Sequence, residues 1–205
     1  MPTLPDMFSL AYCVTILLSA PLSIDCVAQA PQSVDQAPCS PVLQQQTEND
    51  SAQGSASAKK RLADQYAHGE CVSQDIAKAA ALYKESAELG DAEAQYEFAL
   101  FVLEGKEVPM DSAAAAGWLE RSARQDNSQS QYALGSLYVQ GRGVPKNLVE
   151  GYKWIRISGS ETDRHTNDVL ALVARSMTQD QIKKAKAEAR VWRKAHKAKP
   201  LNELP

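Results

Sequence analysis

The side chains best suited to metal binding or nucleophilic catalysis are scarce in this chain, which has three histidines and four cysteines among 205 residues. His68, His165 and His196 form no HxxxH pair, and no cysteine lies at metal-ligand spacing from any of them. The glycines of residues 141–143 are expected to follow a helix rather than a strand, which argues against a phosphate-binding loop. We therefore predict no catalytic residues, no metal site and no cofactor, and we expect the protein not to be an enzyme.

The N-terminal segment differs from the rest of the chain because residues 1–58 contain no Lys or Arg. Residues 8–20 form an apolar run, shorter than the about 20 residues of a membrane-spanning helix but within the roughly 7–15 of a secretory signal. The small residues around Ala28 predict cleavage there, so we interpret residues 1–28 as a signal peptide and the protein as periplasmic or secreted. No basic residue precedes the run, which departs from the usual signal pattern. A membrane anchor formed by this segment stays the alternative.

Residues 29–55 are rich in Pro, Gln and Ser and lack apolar periodicity, which predicts a flexible linker. Cys13 and Cys26 would leave with the signal peptide, so Cys39 and Cys71 would remain as an even pair in an oxidising compartment. Two interpretations of this pair stay open. It forms a Cys39–Cys71 disulfide that joins the linker to the folded part, or it consists of two separate thiols.

The elements that must position any functional side chain come from an internal repeat with an offset of 36 residues and no gaps. When the three copies are aligned, each set of equivalent positions forms a column. One column holds large apolar residues, a second holds glycines, and a third holds large apolar residues again. These columns are Leu62, Phe98 and Leu134; Gly69, Gly105 and Gly141; and Leu82, Trp118 and Trp154. Trp118 and Trp154 are interpreted as core residues rather than a ligand-stacking pair, because they occupy one repeat position.

The pattern predicts that each 36-residue unit forms two antiparallel helices. The apolar columns recur at helical spacing, the glycine column suits a left-handed helix end, and Asp75, Asp111 and Asn147 are expected N-caps of the second helices. One such pair cannot bury its own apolar face, so three stacked pairs are needed to build a continuous core. The predicted helices cover residues 56–68, 75–88, 91–104, 111–125, 128–140 and 147–158.

The third unit resembles a Sel1-like repeat (SLR), a relative of the tetratricopeptide repeat. The matching residues there are Leu134, Gly135, Tyr138, Gly141, Gly143, Val144, Asn147 and Trp154. The resemblance extends over residues 56–160 and implies an all-α fold, a right-handed α/α superhelix (solenoid) of three helical-hairpin repeats. It also implies binding or scaffolding of another protein or peptide, and the predicted signal peptide makes the expected protein an exported one. Because some cysteine-rich SLR proteins have been linked to penicillin or cell-wall chemistry, a small envelope hydrolase is an alternative.

The chain after the repeats predicts a C-terminal two-helix cap over residues 161–199, followed by a tail at 200–205. Thr178 and Gln181 have the spacing of a capping box that opens the last helix. Residues 164–205 hold ten Lys or Arg and four Asp or Glu, whereas residues 31–163 hold twelve and nineteen. The basic segment is either a weak contact for an anionic surface or a solvated helix whose cations complement its dipole.

In helical-hairpin solenoids of the kind this chain resembles, the first helices line a concave groove that receives the partner. The residues expected to point into it are Lys60, Asp64, His68, Tyr96, Leu100, Glu104, Tyr132, Ser136 and Gln140. Their mixture of apolar and hydrogen-bonding groups suits an extended or helical peptide. A net charge of −3 argues against nucleic acid as the partner.

Overall fold

The computed structural model describes residues 40–159 and 163–197, and within them all regular structure is helical. The helices are α1 Pro41–Ala52, α2 Ala56–His68, α3 Ile76–Glu88, α4 Ala92–Glu104, α5 Ser112–Arg124, α6 Ser128–Gln140, α7 Leu148–Ser158, α8 Arg164–Ala174 and α9 Gln179–Lys197. Each helix from α1 to α7 packs against the next one along the chain, and α7 also packs against α9. No helix in these two ranges combines the length and the apolar character needed to cross a membrane.

The helix ends of the three repeats lie within a residue of those predicted, because the predicted capping residues act as expected. The side chains of Asp75, Asp111 and Asn147 each accept backbone N–H groups from the first turn of the second helices α3, α5 and α7. Gly69 and Gly141 end first helices with φ of 71° and 73°, the left-handed conformation that residues with a Cβ adopt at a cost.

A periodic set of buried hydrogen bonds ties the helices together. Ser86 Oγ donates to the carbonyl of Ala56 at 2.7 Å, and 36 residues later Ser122 Oγ donates to that of Ala92 at 2.6 Å. Between successive repeats, Gln95 Nε2 donates to the carbonyl of Ala87 at 3.1 Å, a bond that recurs from Gln131 to Ala123 at the same distance. These polar side chains reinforce the register that the apolar columns define, since buried polar groups require partners.

The apolar columns form the core, but Trp118 and Trp154 differ in how deeply they are buried. Leu62, Phe98 and Leu134 are buried, as is Trp154, which is 5% exposed. Trp118 packs on the core with its ring edge-on to Phe98 at a centroid distance of 5.6 Å, but it is only half-buried. The guanidinium of Arg121 covers part of the remaining surface, 4.5 Å from the ring centroid.

The predicted two-helix cap is present as α8 and α9. Thr178 and Gln181 exchange the two hydrogen bonds of a capping box, from Gln181 N to Thr178 Oγ1 at 3.2 Å and from Thr178 N to Gln181 Oε1 at 2.8 Å. The ring of Trp192 in α9 contacts Trp154 of α7 in an edge-on geometry at 4.9 Å. The cap therefore covers the apolar surface of the last repeat.

The prediction of a flexible linker is wrong for residues 41–52, which form α1. Pro41 occupies the first turn, where its missing N–H costs nothing, and Thr47 and Ser51 are each 4% exposed against the rest of the molecule. Because the buried side of α1 is made of small polar residues, it leaves no apolar periodicity in the sequence. Residues 29–39 of the predicted linker, the predicted signal peptide and the predicted tail lie outside the described residues.

Cys71 is disulfide-bonded. It lies in the turn after α2 with φ of 64°, two residues beyond the left-handed Gly69. Cys39, its predicted partner, lies outside the described residues, so the Cys39–Cys71 pairing stays a prediction.

Candidate partner-binding face

The nine predicted groove residues lie on the first helices of the repeats, three on each of α2, α4 and α6. Within a helix they are four residues apart, which places them along one side. We call this set the first-helix face. Its members are Lys60, Asp64 and His68; Tyr96, Leu100 and Glu104; Tyr132, Ser136 and Gln140. The last residue of each helix is exposed, and the other six are half-buried.

A charged cluster occupies the α2 end of the first-helix face. Lys60 Nζ lies 3.1 Å from Asp64 Oδ2 and 2.7 Å from Glu93 Oε2 of α4. Burial opposes the charge on Lys60, but its hydrogen bonds to Glu93 and Asp64 outweigh burial and raise its pKa. Tyr83 Oη donates to Asp64 Oδ1 at 2.7 Å. The structure thus joins the predicted Lys60 and Asp64 to two residues, Glu93 and Tyr83, that the sequence analysis missed.

Glu97 of α4 lies beside this cluster and differs from its neighbours. It is half-buried, and no hydrogen bond or ion pair to its side chain occurs within the described residues. Burial raises the pKa of its carboxyl group and the negative charge of Asp64 adds to the effect, while Lys60 and His68 act in the opposite direction. A cation supplied by a bound segment would find here a carboxylate that residues 40–159 and 163–197 leave without an ion pair.

The middle of the first-helix face is more apolar. Tyr96 packs against the main core and is half-buried, which raises the pKa of its hydroxyl group, with a further contribution from Glu97. Leu100 is also half-buried and follows Tyr96 by one helical turn. These two side chains offer the apolar contact area on which peptide binding commonly depends.

The α6 end of the face reaches the C-terminal cap. Tyr132 Oη lies 3.4 Å from Nε2 of His165 in α8, and their ring centroids are 5.9 Å apart. Ser136 Oγ donates to the carbonyl of Tyr132 at 3.0 Å. Glu104 and Gln140 take no part in the contacts at either end, although Glu104 pairs with Lys106 at 2.5 Å.

Some of the residues missing from the prediction could have been found from the sequence, and others could not. Glu93 and Glu97 are four apart on α4 and flank the predicted Tyr96, so the helical spacing could have included them. Tyr83 belongs to a second helix and His165 to the cap, and their approach to the face depends on how helices pack.

The side chains of the first-helix face could bind a partner through ion pairs, hydrogen bonds and apolar contacts. Within residues 40–159 and 163–197, no group of three or more His, Cys, Asp or Glu side chains is placed to hold a metal ion. His68 Nδ1 lies 2.8 Å from the backbone carbonyl of Asp64, and His196 stacks on Trp192 at 3.8 Å between ring centroids. The three histidines thus make separate local contacts: His68 within α2, His196 with Trp192 in α9, and His165 with Tyr132.

Comparison with known proteins supports the repeat register. A family model described as Sel1 repeat matches residues 56–91, 92–127 and 128–162. A crystal structure of a Sel1 repeat protein from Oxalobacter formigenes is 25% identical, with a TM-score of 0.58, and the match covers 62% of this chain and 96% of that one. A second similar structure is c5321, a protective antigen of uropathogenic Escherichia coli strains with an SLR fold. It is 22% identical, with a TM-score of 0.47 and coverage of 76% of this chain and 43% of that one. No curated protein sequence matches the chain.

Proposed function

Because the chain belongs to the Sel1 repeat family, we propose that it is an exported protein-binding scaffold whose first-helix face holds a peptide segment of a partner protein. Sel1 repeat proteins are typically scaffolds for protein–protein interaction. In such a superhelix the first helices are expected to line the concave side, so the face would present equivalent positions of three successive repeats to one ligand.

The observation that carries this proposal is the composition of the first-helix face. Tyr96, Leu100 and Tyr132 are half-buried rather than enclosed, so each keeps apolar surface that a partner can cover. Carboxylates of the charged cluster lie at one end of this apolar strip, and the Tyr132–His165 pair lies at the other. Aromatic anchors bordered by polar groups are typical of peptide-binding surfaces.

The proposed location is the periplasm or the exterior of the cell, reached by the predicted signal peptide. The disulfide at Cys71 supports an oxidising compartment, since disulfides persist there and are rare in the cytosol.

The test is affinity capture from cells with the full chain as bait, comparing Tyr96→Ala/Leu100→Ala with the unaltered protein. We expect the double variant to lose captured protein about tenfold or more, because hot-spot side chains at interfaces contribute about 2 kcal/mol or more each. Leu89→Ala/Met110→Ala is the matched control, since Leu89 and Met110 are exposed apolar residues outside the face, at 53% and 67%. Equal capture by the two double variants would contradict the proposal, provided that circular dichroism shows both to be helical.

A further inference from the structure

The outward side of α9 carries a continuous basic stripe. Lys183, Lys186, Arg190 and Lys194 are spaced by three, four and four residues, so they lie along one side of the helix, and all four are exposed. At about 1.5 Å of rise per residue the stripe extends over about 16 Å. We call these four residues the α9 stripe.

The charge of the α9 stripe is not neutralised within the described residues. Lys183 Nζ approaches Asp180 Oδ1 at 3.8 Å, a long and highly exposed pair, and the other three cations of the stripe have no ion pair there. Glu188, the other acid of α9, is half-buried on the side of the helix away from the stripe. The stripe is therefore a row of positive charge open to solvent.

The opposite side of α9 holds the helix firmly to the last repeat. Ala185 and Ala189 are buried at 0% and 3% exposure, and Trp192 contacts Trp154. A guanidinium nitrogen of Arg193 donates to the backbone carbonyls of Arg156 and Gly159. Because these contacts use none of the stripe residues, the stripe can be changed without disturbing the core.

We propose that the α9 stripe docks the protein on the headgroups of an anionic phospholipid surface. Three of its four cations are lysines, whose ammonium groups act as point charges and suit a fluid array of phosphates better than a bidentate acidic side chain. Val191, 71% exposed, lies beside Lys194 at helical spacing and supplies an apolar group next to the cations. Clusters of four or more cations on one helix face are typical of helices that bind anionic membranes. This inference concerns a surface separate from the first-helix face and does not rest on the proposed function.

The experiment is co-sedimentation of the full chain with phosphatidylcholine vesicles, with and without about one third phosphatidylglycerol. We expect binding only to the anionic vesicles and its loss at about 1 M salt, where the Debye length is about 3 Å. The variant Lys183→Gln/Lys186→Gln/Arg190→Gln/Lys194→Gln should partition about a hundredfold more weakly or worse. The control Arg61→Gln/Lys84→Gln/Lys106→Gln/Lys146→Gln removes the same charge from exposed positions elsewhere and should bind nearly as well as the unaltered chain.

Three results would overturn the proposal. One is equal loss of vesicle binding in the two quadruple variants, which would indicate a response to net charge alone. Another is equal binding to zwitterionic and anionic vesicles. The third is stripe-dependent binding of a labelled DNA duplex or of polyglutamate without any binding to anionic vesicles, which would assign the stripe to a different class of partner.

Discussion

At the scale of single residues, Glu97 is the carboxylate beside the first-helix face whose environment differs most from that of its neighbours. Its neighbours Asp64 and Glu93 are both paired with Lys60, whereas the Glu97 carboxylate is partly removed from water and forms no ion pair in the part of the chain that the structure describes. A group in this position costs stability in the free protein and gains an interaction when a cationic ligand arrives. If the first-helix face binds a cationic segment as proposed, folding and binding make opposite demands on Glu97.

We predict that Glu97→Gln stabilises the free protein at neutral pH. The pKa of Glu97 is raised from its ordinary value of 4.5, so the folded chain holds the proton more tightly than the unfolded chain does. The ionised form then destabilises the fold at neutral pH, and this cost disappears as the pH falls below 4.5. Thermal unfolding should show a higher Tm for the variant at about pH 7 and no difference at about pH 3.5.

The control for this measurement is Glu70→Gln, at an exposed position in the turn after α2. It removes the same charge but relieves no burial, so its Tm should follow that of the unaltered chain at both pH values. A lower Tm for Glu97→Gln at neutral pH would show instead that the ionised carboxylate stabilises the fold.

At the scale of helices, α6 and α7 pack closely within the third repeat, and two glycines permit this packing. A Cβ on Gly135 would lie 2.9 Å from the carbonyl oxygen of Gly151 and 2.7 Å from Ile155 Cγ1. A Cβ on Gly151 would lie 2.6 Å from Val139 Cγ2. None of these three distances can be tolerated without moving one helix relative to the other, so the two glycines fix the spacing within the third repeat.

We predict that Gly135→Ala destabilises the protein by about 1–3 kcal/mol, because the added methyl group collides with backbone as well as side-chain atoms. Gly117→Ala is the matched control. Gly117 lies within α5, is exposed and has open space where a Cβ would be placed, so the same substitution there should stabilise by about 0.5–1 kcal/mol. Urea unfolding of both variants measures the difference, and a shift of equal sign in the two would refute the close-packing explanation.

The sequence was sufficient to predict most elements but not all. The repeat helices could be placed to within a residue because Asp75, Asp111 and Asn147 cap their starts and glycines end their first helices. Helix α1 escaped prediction because Thr47 and Ser51, rather than apolar residues, form its buried side. The serines that bond to Ala56 and Ala92 recur at the repeat offset, so their column was visible, but their hydrogen-bond partners were not.

At the scale of the whole molecule, the sequence could place the first-helix face but not its chemistry. The nine face residues follow from the repeat register together with the resemblance to solenoids whose first helices line a groove. The partners of those residues do not, because Lys60 meets Glu93 and Tyr132 meets His165 only after neighbouring helices have packed. Membership of the Sel1 repeat family shows that the chain is similar to interaction scaffolds. The structure shows where the apolar and charged groups lie on the face.

The central claim, that partners bind to the first-helix face, is tested most directly by site-specific photo-crosslinking in cells. The photoreactive amino acid benzoylphenylalanine is placed at Leu100 or Ser136 on the face, and at Lys84 on α3 as a control that is exposed and outside it. We predict that the face positions yield a crosslinked partner on irradiation and that Lys84 does not. Crosslinks from Lys84 without any from Leu100 or Ser136 would contradict the assignment of the first-helix face as the binding surface.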